Sequence, residues 1–306
     1  MRAELSRRIS DFGLRSSLFR SPPSCEWRGG ECEVLLHSRL LCGRAVFPLC
    51  TRAGEWLSDA VVGTLLNAGC ILAGGIAGLV MKKPLSAANQ LFFKLVLGLG
   101  VIVAGLRLAW MSIASESETF VEVFQRLGLV ILALMLGRFT GAMLRIQKAS
   151  NRVGRFAREK MSGVRPDNAN RFSDGFSVAA ALFCAAPLAV FGSVADGFAG
   201  YFWPLVIKGV MDGMAVMGFV GMFGAGVILS VVPVFVFQGT ITLFCSRILL
   251  PWFEQSGWTD AASAMNATAG LLIFTVSLIV FEVKKIEVSD YLPSLVFAPV
   301  LWCWLL

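Results

Sequence analysis

The chain has 306 residues, of which 56% are hydrophobic and 15% charged, with a formal net charge of +7. Soluble domains carry about 25% charged residues, so this composition excludes an ordinary water-soluble domain. The positive surplus lies in short loops beside apolar runs, which reads as a topology signal and not as a nucleic-acid surface.

Residues 1–60 differ in character from the rest of the chain. They are Arg-rich, contain no Lys, and hold Cys25, Cys32, Cys42 and Cys50. No Cys-x-x-Cys pair occurs and His37 stands alone, so zinc is not expected. A disulfide framework stays open if the segment is external. No clean apolar stretch comes after the basic start, which argues against a signal peptide. Two readings remain side by side: a poorly structured extension, or a mis-assigned start with translation beginning at Val61 or Val62.

From residue 61 to residue 306 the sequence predicts a transmembrane domain of about eight helices, each near the ~20 residues that cross a bilayer. The spans run Val61–Met81, Leu91–Met111, Phe120–Leu144, Phe172–Val194, Phe202–Phe223, Val227–Leu250, Ala264–Val283 and Tyr291–Leu306. The Gly-rich step Phe223-Gly224-Ala225-Gly226 predicts a tight antiparallel hairpin between the fifth and sixth spans. The predicted class is therefore all-α, a polytopic integral membrane protein.

Loop charge sets the orientation. Lys82 and Lys83, the run Arg145 to Arg171, and Lys284 and Lys285 fall on one side when the spans are threaded in order. Positive residues mark the cytoplasmic side, so both ends of the core face outward. Glu116 and Glu118, or Glu254 and Asp260, occupy the opposite loops. Within 145–171, Ile146, Val153, Phe156, Ala157 and Met161 share one side of a helix and Arg and Lys the other. That pattern predicts a surface helix facing anionic lipid, with partner docking as the alternative.

Ionisable groups inside apolar spans are costly, so they are candidate site residues. Asp212 stands near the middle of the fifth span with Lys208 one turn earlier, on one helix face. A self-neutralising pair and a cation or proton site are the two readings. Asp196 closes the fourth span and reads more simply as a helix end in water. Gln238 and Thr240 lie in the sixth span after Pro233, and Asn67 lies in the first, with Thr64 near its start. Pro187 and Pro233 are predicted helix breaks of the kind that expose carbonyls at mid-membrane. Cys70, Cys184, Cys245 and Cys303 read as small buried apolar residues. No metal or cofactor site is expected, and no nucleophile with its base, so no enzyme.

A weak internal likeness pairs Leu97–Leu106 with Ala267–Val276 and Leu127–Leu136 with Leu292–Leu301. It would relate the second and third spans to the seventh and eighth as an inverted repeat, a transporter feature.

Several segments resemble an uncharacterised bacterial membrane-protein family, the one that includes YdfK and YqgA. They are Gly63-Thr64-Leu65-Leu66-Asn67-Ala68-Gly69, Leu182-Phe183-Cys184-Ala185-Ala186-Pro187, Gly192-Ser193-Val194-Ala195-Asp196-Gly197, Ile207-Lys208-Gly209-Val210-Met211-Asp212-Gly213, Gln238-Gly239-Thr240, Leu292-Pro293 and Ala298-Pro299. Members often carry Gly where Ala186 stands, and they start just before the Gly-Thr-Leu segment. The resemblance implies a multi-spanning protein and supplies no activity. The expected function is a secondary transporter or channel-like protein of the bacterial plasma membrane, for a small solute or cation. The alternative is a scaffold or sensor acting through the basic loop.

Overall fold

In the computed structural model, residues 61–81, 86–114, 119–163, 170–258, 260–283 and 286–305 are described. Residues 1–60 and the expectations for Lys82, Lys83, Glu116, Glu118, Arg165, Asp167, Lys284 and Lys285 lie outside them. Every described element is helical.

Three long helices come first, α1 (Val62–Val80), α2 (Ala87–Ile113) and α3 (Phe120–Leu144). Ser86 opens α2 by accepting the Asn89 N–H, and Thr119 with Glu122 forms a capping box on α3. Such caps satisfy N–H groups that the first helical turn leaves unpaired. Arg145 then takes a left-handed conformation, φ 56°, and turns the chain into the surface helix α4 (Ile146–Ser162).

The predicted fourth span is not one helix. It divides into α5 (Arg171–Ala185) and α6 (Pro187–Ala199), which meet at 57°. Ala186 is extended, at ψ 126°, because the ring of Pro187 disfavours the helical conformation of the residue before it. The span also runs five residues past its predicted end at Val194, to Ala199.

After α7 (Trp203–Phe223), Gly224 takes φ 81° and a 3-10 segment (Ala225–Ser230) leads into α8 (Val231–Phe244). The turn is tight, but the expected hairpin does not form. The 3-10 segment redirects the chain, so α8 packs on α6, α1 and α5. Pro233 is not an interior break either, because it sits in the first turn of α8, where a missing N–H costs little. A π-helical segment, Cys245–Leu249, and α9 (Leu250–Gln255) extend this span. The chain closes with α10 (Ala261–Val280), a 3-10 turn (Val288–Tyr291) and α11 (Ser294–Leu305).

Membrane burial tracks the apolar pattern. Only 28% and 22% of the most apolar windows of α2 and α3 are buried, against 67% for α10. The large apolar side chains that α2 and α3 leave uncovered, such as Phe92, Leu99, Trp110, Phe124 and Met135, form a surface suited to lipid. Among the described residues seven helices are long and apolar enough to span, and the bent pair α5–α6, taken as one span, makes eight.

The packing registers settle whether that bent pair crosses. Asn67 lies against Gly209, Cys70 against Gly213 and Gly78 against Met217, so α1 and α7 run parallel. Gly98 meets Phe281 while Gly105 meets Gly270, so α2 and α10 are antiparallel, as are α3 and α11 through Gly137–Ser294 and Gly141–Asp290. With α1, α2 and α3 alternating, α7 can run parallel to α1 only if α5–α6 traverses the membrane between them. A re-entrant loop there would reverse α7.

The Gly105–Gly270 crossing is reciprocal. A Cβ on either glycine would lie within 2.8 Å of the other's carbonyl oxygen.

On the basic face α4 bridges two groups of helices. Asp290 Oδ1 accepts the Gln147 N–H at 2.7 Å, while Gln147 Oε1 accepts the Ser289 N–H at 3.1 Å. At its other end Lys160 pairs with Asp174 of α5 at 2.9 Å, and Ala157 is buried beside Val178 and Phe223. Phe156 is exposed, as are Lys148, Arg152, Arg155 and Arg158.

Candidate functional site

Four helices bring polar side chains to one place inside the apolar bundle. Thr64 and Asn67 come from α1, Ser193 and Asp196 from α6, Lys208 and Asp212 from α7, and Gln238 and Thr242 from α8. All eight are buried. At 1.5 Å per residue, Asp212 lies about 14 Å along α7 from its start, close to the middle of a bilayer.

Lys208 Nζ donates to Asp212 Oδ2 within α7, as the i,i+4 spacing allows. Lys208 also sits 5.9 Å from the centre of the Phe183 ring of α5, a distance at which the ring face attracts an ammonium. Asn67 Nδ2 donates to Gln238 Oε1 at 2.8 Å, and the same amide faces the Asp212 carboxylate. Gly209 makes this possible, since a Cβ there would lie 2.9 Å from the Asn67 backbone. Thr242 Oγ1 donates to the Ser193 carbonyl at 3.2 Å and joins α8 to α6.

Asp196 departs from expectation. It is 2% exposed, not set in water, because α6 continues past it and α1 covers it. Gly63, at the start of α1, faces it so closely that a Cβ would lie 2.9 Å from Oδ2. The Gly63 N–H points toward the carboxylate without forming a well-shaped hydrogen bond. Both oxygens of Asp196, Asn67 Oδ1, Gln238 Nε2 and Thr64 Oγ1 are buried with no partner among the described residues. Buried polar groups are nearly always paired, and each one left unpaired costs ~1–3 kcal/mol.

The cluster is graded along the membrane normal. Thr64 and Asp196 stand nearest the face opposite α4, then Asn67 and Lys208, then Asp212. Beyond Asp212, toward the basic face, Ile71, Phe183, Val216, Val220 and Phe223 close the bundle with apolar side chains. Of the predicted site residues, Asp212, Lys208, Gln238, Asp196 and Asn67 converge, whereas Thr240 is exposed on the far side of α8. Thr242, two residues and about 200° further round the helix, takes the inward place. Ser193 was not singled out by the sequence. Its only signal is its position one turn before Asp196, on the same helix face. Cys245 is buried, while Cys70, Cys184 and Cys303 are half-buried, all as free thiols.

A family model described as "Protein of unknown function (DUF554)" matches residues 62–303. The chain is 25% identical over 239 residues to "Uncharacterized membrane protein YdfK" of Bacillus subtilis (strain 168), covering 78% of this chain and 94% of that protein. It is equally similar, 25% over 239 residues with the same coverage of 78% and 94%, to "Uncharacterized protein YqgA" of Escherichia coli (strain K12). No solved structure matches the chain. A match over most of the described helices places this multi-pass membrane protein in the DUF554 family.

Proposed function

We propose that the protein is a secondary transporter or channel-like protein for a small cation, or for a small solute moved with one. Its place on this reading is the bacterial plasma membrane, with α4 on the cytoplasmic side against anionic lipid. The observation that carries the reading is the buried cluster of Asp196, Asn67, Gln238, Lys208 and Asp212, in which several oxygens lack partners. Two irregular spans supply part of it, α5–α6 with its 57° bend and α8 with its 3-10 and π flanks. Broken helices at mid-membrane are the usual means of presenting such groups to an ion.

The polar groups reach from the face opposite α4 down to Asp212, and apolar side chains close the remainder. On this reading a cation enters past Asp196 and Thr64, exchanges with the Lys208 ammonium for Asp212, and leaves when the apolar layer opens. It is a transport reading, not an enzymatic one.

The test is ion flux in proteoliposomes, with proton, sodium and potassium followed by ion-selective dyes. The intact protein is expected to conduct at least one of them. Lys208→Met with Asp212→Leu is expected to fold and to carry none. A double variant as active as the intact chain would reduce the pair to a packing device.

Two observations favour the scaffold reading instead. Lys208 and Asp212 already satisfy each other, and α4 turns four basic side chains outward. A flux-inactive protein whose partners are lost on neutralising Arg152, Arg155 and Arg158 would support that alternative.

A further inference from the structure

Between α3 and α10, on the half of the bundle nearest α4, lies a groove of about 740 Å³. No residue of the central polar cluster lines it. Both helices run toward the basic face, so the residue order along its wall is an order in depth. Ile131 and Leu271 form the deep end, and Met135 and Phe274 follow. Arg138, Ala142 and Tyr291 lie at the shallow end.

The groove is as long as one leaflet. The eleven residue steps from Ile131 to Ala142 rise about 16 Å, against ~15 Å for half of a bilayer's hydrocarbon core. Ile131 stands next to the midpoint of α3, so the deep end reaches the middle of the membrane. With α3 centred, the Arg138 backbone lies about 5 Å inside the edge of the core on the α4 side. An arginine side chain spans that distance to the headgroups. Ile131, Met135 and Phe139 are exposed, so the groove opens sideways to lipid.

Arg138 brings a charge to the mouth of this apolar slot. It is exposed, and among the described residues no carboxylate forms an ion pair with it. Its contact is Tyr291. One guanidinium nitrogen donates to the phenol oxygen at 3.4 Å, and the guanidinium lies 5.8 Å from the ring centre. Tyr291 thus steadies the group while engaging one of its five N–H donors. The Tyr291 O–H keeps its own proton to donate. The neighbouring Asp290 turns its Oδ1 to the Gln147 N–H of α4 instead. A cation at this depth calls for a counter-charge, and phosphate oxygens take a guanidinium through two parallel N–H bonds.

We propose that the groove binds one anionic phospholipid of the leaflet on the α4 side. The phosphate sits on Arg138 and the Tyr291 O–H, and an acyl chain lies between α3 and α10 down to Ile131 and Leu271. Basic pockets between spans on the positively charged side are suited to anionic headgroups. A zwitterionic lipid would bring its own cation beside Arg138 and is disfavoured. The site is separate from the exposed basic side chains of α4, which meet the membrane surface as a diffuse charge.

The experiment titrates the full chain, stripped of lipid in a neutral detergent, with phosphatidylglycerol and with phosphatidylcholine of the same chains. Native mass spectrometry counts bound lipid, and the thermal midpoint follows it, since a ligand of the folded state raises that midpoint. One phosphatidylglycerol is expected to bind saturably, about tenfold more tightly than phosphatidylcholine. Arg138→Gln should remove the preference. Ala142→Trp, at an exposed position, should fill the mouth and remove the saturable site itself, which keeps the test open if Arg138→Gln fails to fold. Arg152→Gln, Arg155→Gln and Arg158→Gln together should leave the site intact. Glycerophosphoglycerol, the headgroup without chains, should leave the midpoint unchanged.

Equal binding of the two lipids, a saturable site that survives Ala142→Trp, or a preference that survives Arg138→Gln overturns the proposal. So does its loss in the α4 variant, or a midpoint raised by glycerophosphoglycerol. Ion flux plays no part in these readouts, so the failure of this site and that of the transport reading are separable.

Discussion

Asn67 of α1 and Gln238 of α8, 171 residues apart, join their side-chain amides at 2.8 Å in the middle of the apolar bundle. Interhelical polar pairs in membranes average only ~0.6 kcal/mol. That gain is small beside the cost of the unpaired Asn67 Oδ1 and Gln238 Nε2 left over. Packing alone gives a poor reason for two amides here, whereas amides that line a path for a polar solute need spare donors and acceptors.

The Lys208–Asp212 pair should show strong coupling in stability. Lys208→Met strands a buried carboxylate and Asp212→Leu strands a buried ammonium, and breaking a buried pair in this way costs about 3–5 kcal/mol. Replacing both should recover most of that loss. Thermal unfolding of the two single variants and the double variant measures the coupling. Additive losses would mean that the two groups have other partners.

Close backbone approach between α1 and α7 gives a test with opposite signs at neighbouring glycines. A Cβ on Gly74 would lie 2.1 Å from the Gly213 carbonyl oxygen, and backbone cannot move aside as a side chain can. Gly74→Ala should therefore separate the helices and sharply reduce the amount of folded protein. Gly69 has nothing within 4 Å of its Cβ position, so Gly69→Ala should stabilise by up to ~1 kcal/mol through helix propensity. Equal behaviour of the two variants in a thermal-shift assay would refute the close approach of α1 and α7 at Gly74.

Most of the bundle was legible because an apolar run of membrane length has few alternatives to a helix. The break at Pro187 was legible too, since a Pro ring acts on its own neighbour. Pro233 misled because its effect depends on its distance from a helix start, and the 3-10 segment that moved this start has no strong sequence mark. Asp196 misled for a related reason. Its burial comes from Gly63 and α1, more than a hundred residues earlier, and a one-dimensional reading sees only the helix end. Thr240 and Thr242 show the limit most plainly. Both suit a polar path, and only the rotation of α8 against its neighbours decides between them.

Asp290 caps a helix that it does not belong to. Its carboxylate accepts from Gln147 at the start of α4, and Gln147 answers with its own oxygen to Ser289. Asp290→Ala should cost about 1 kcal/mol, as lost N-caps do, while Asp290→Asn keeps the acceptor. Hydrogen exchange at Gln147 and proteolysis near Lys148 are the readouts. Faster exchange confined to the Ala variant is expected, and unchanged protection would show that α4 is held from its Lys160 end alone.

The arrangement of spans makes the last prediction. Because α1 and α7 run parallel, α5–α6 must cross, and the turn at Ser256 then lies on the face opposite α4. Reporter fusions near Arg158 should read cytoplasmic, in keeping with the basic residues there, and fusions near Ser256 external. Ala114, between α2 and α3, should share the side of Ser256. Each position tests a different crossing, so the pattern identifies which one fails. Arg158 and Ser256 on the same side would mean that one span after α4 does not traverse the membrane. The parallel register of Asn67, Cys70 and Gly78 along α7 would then have no topological explanation. Ala114 on the side of Arg158 would instead remove α3, the span between them, as a crossing helix, and would leave the crossing of α5–α6 without its reference direction.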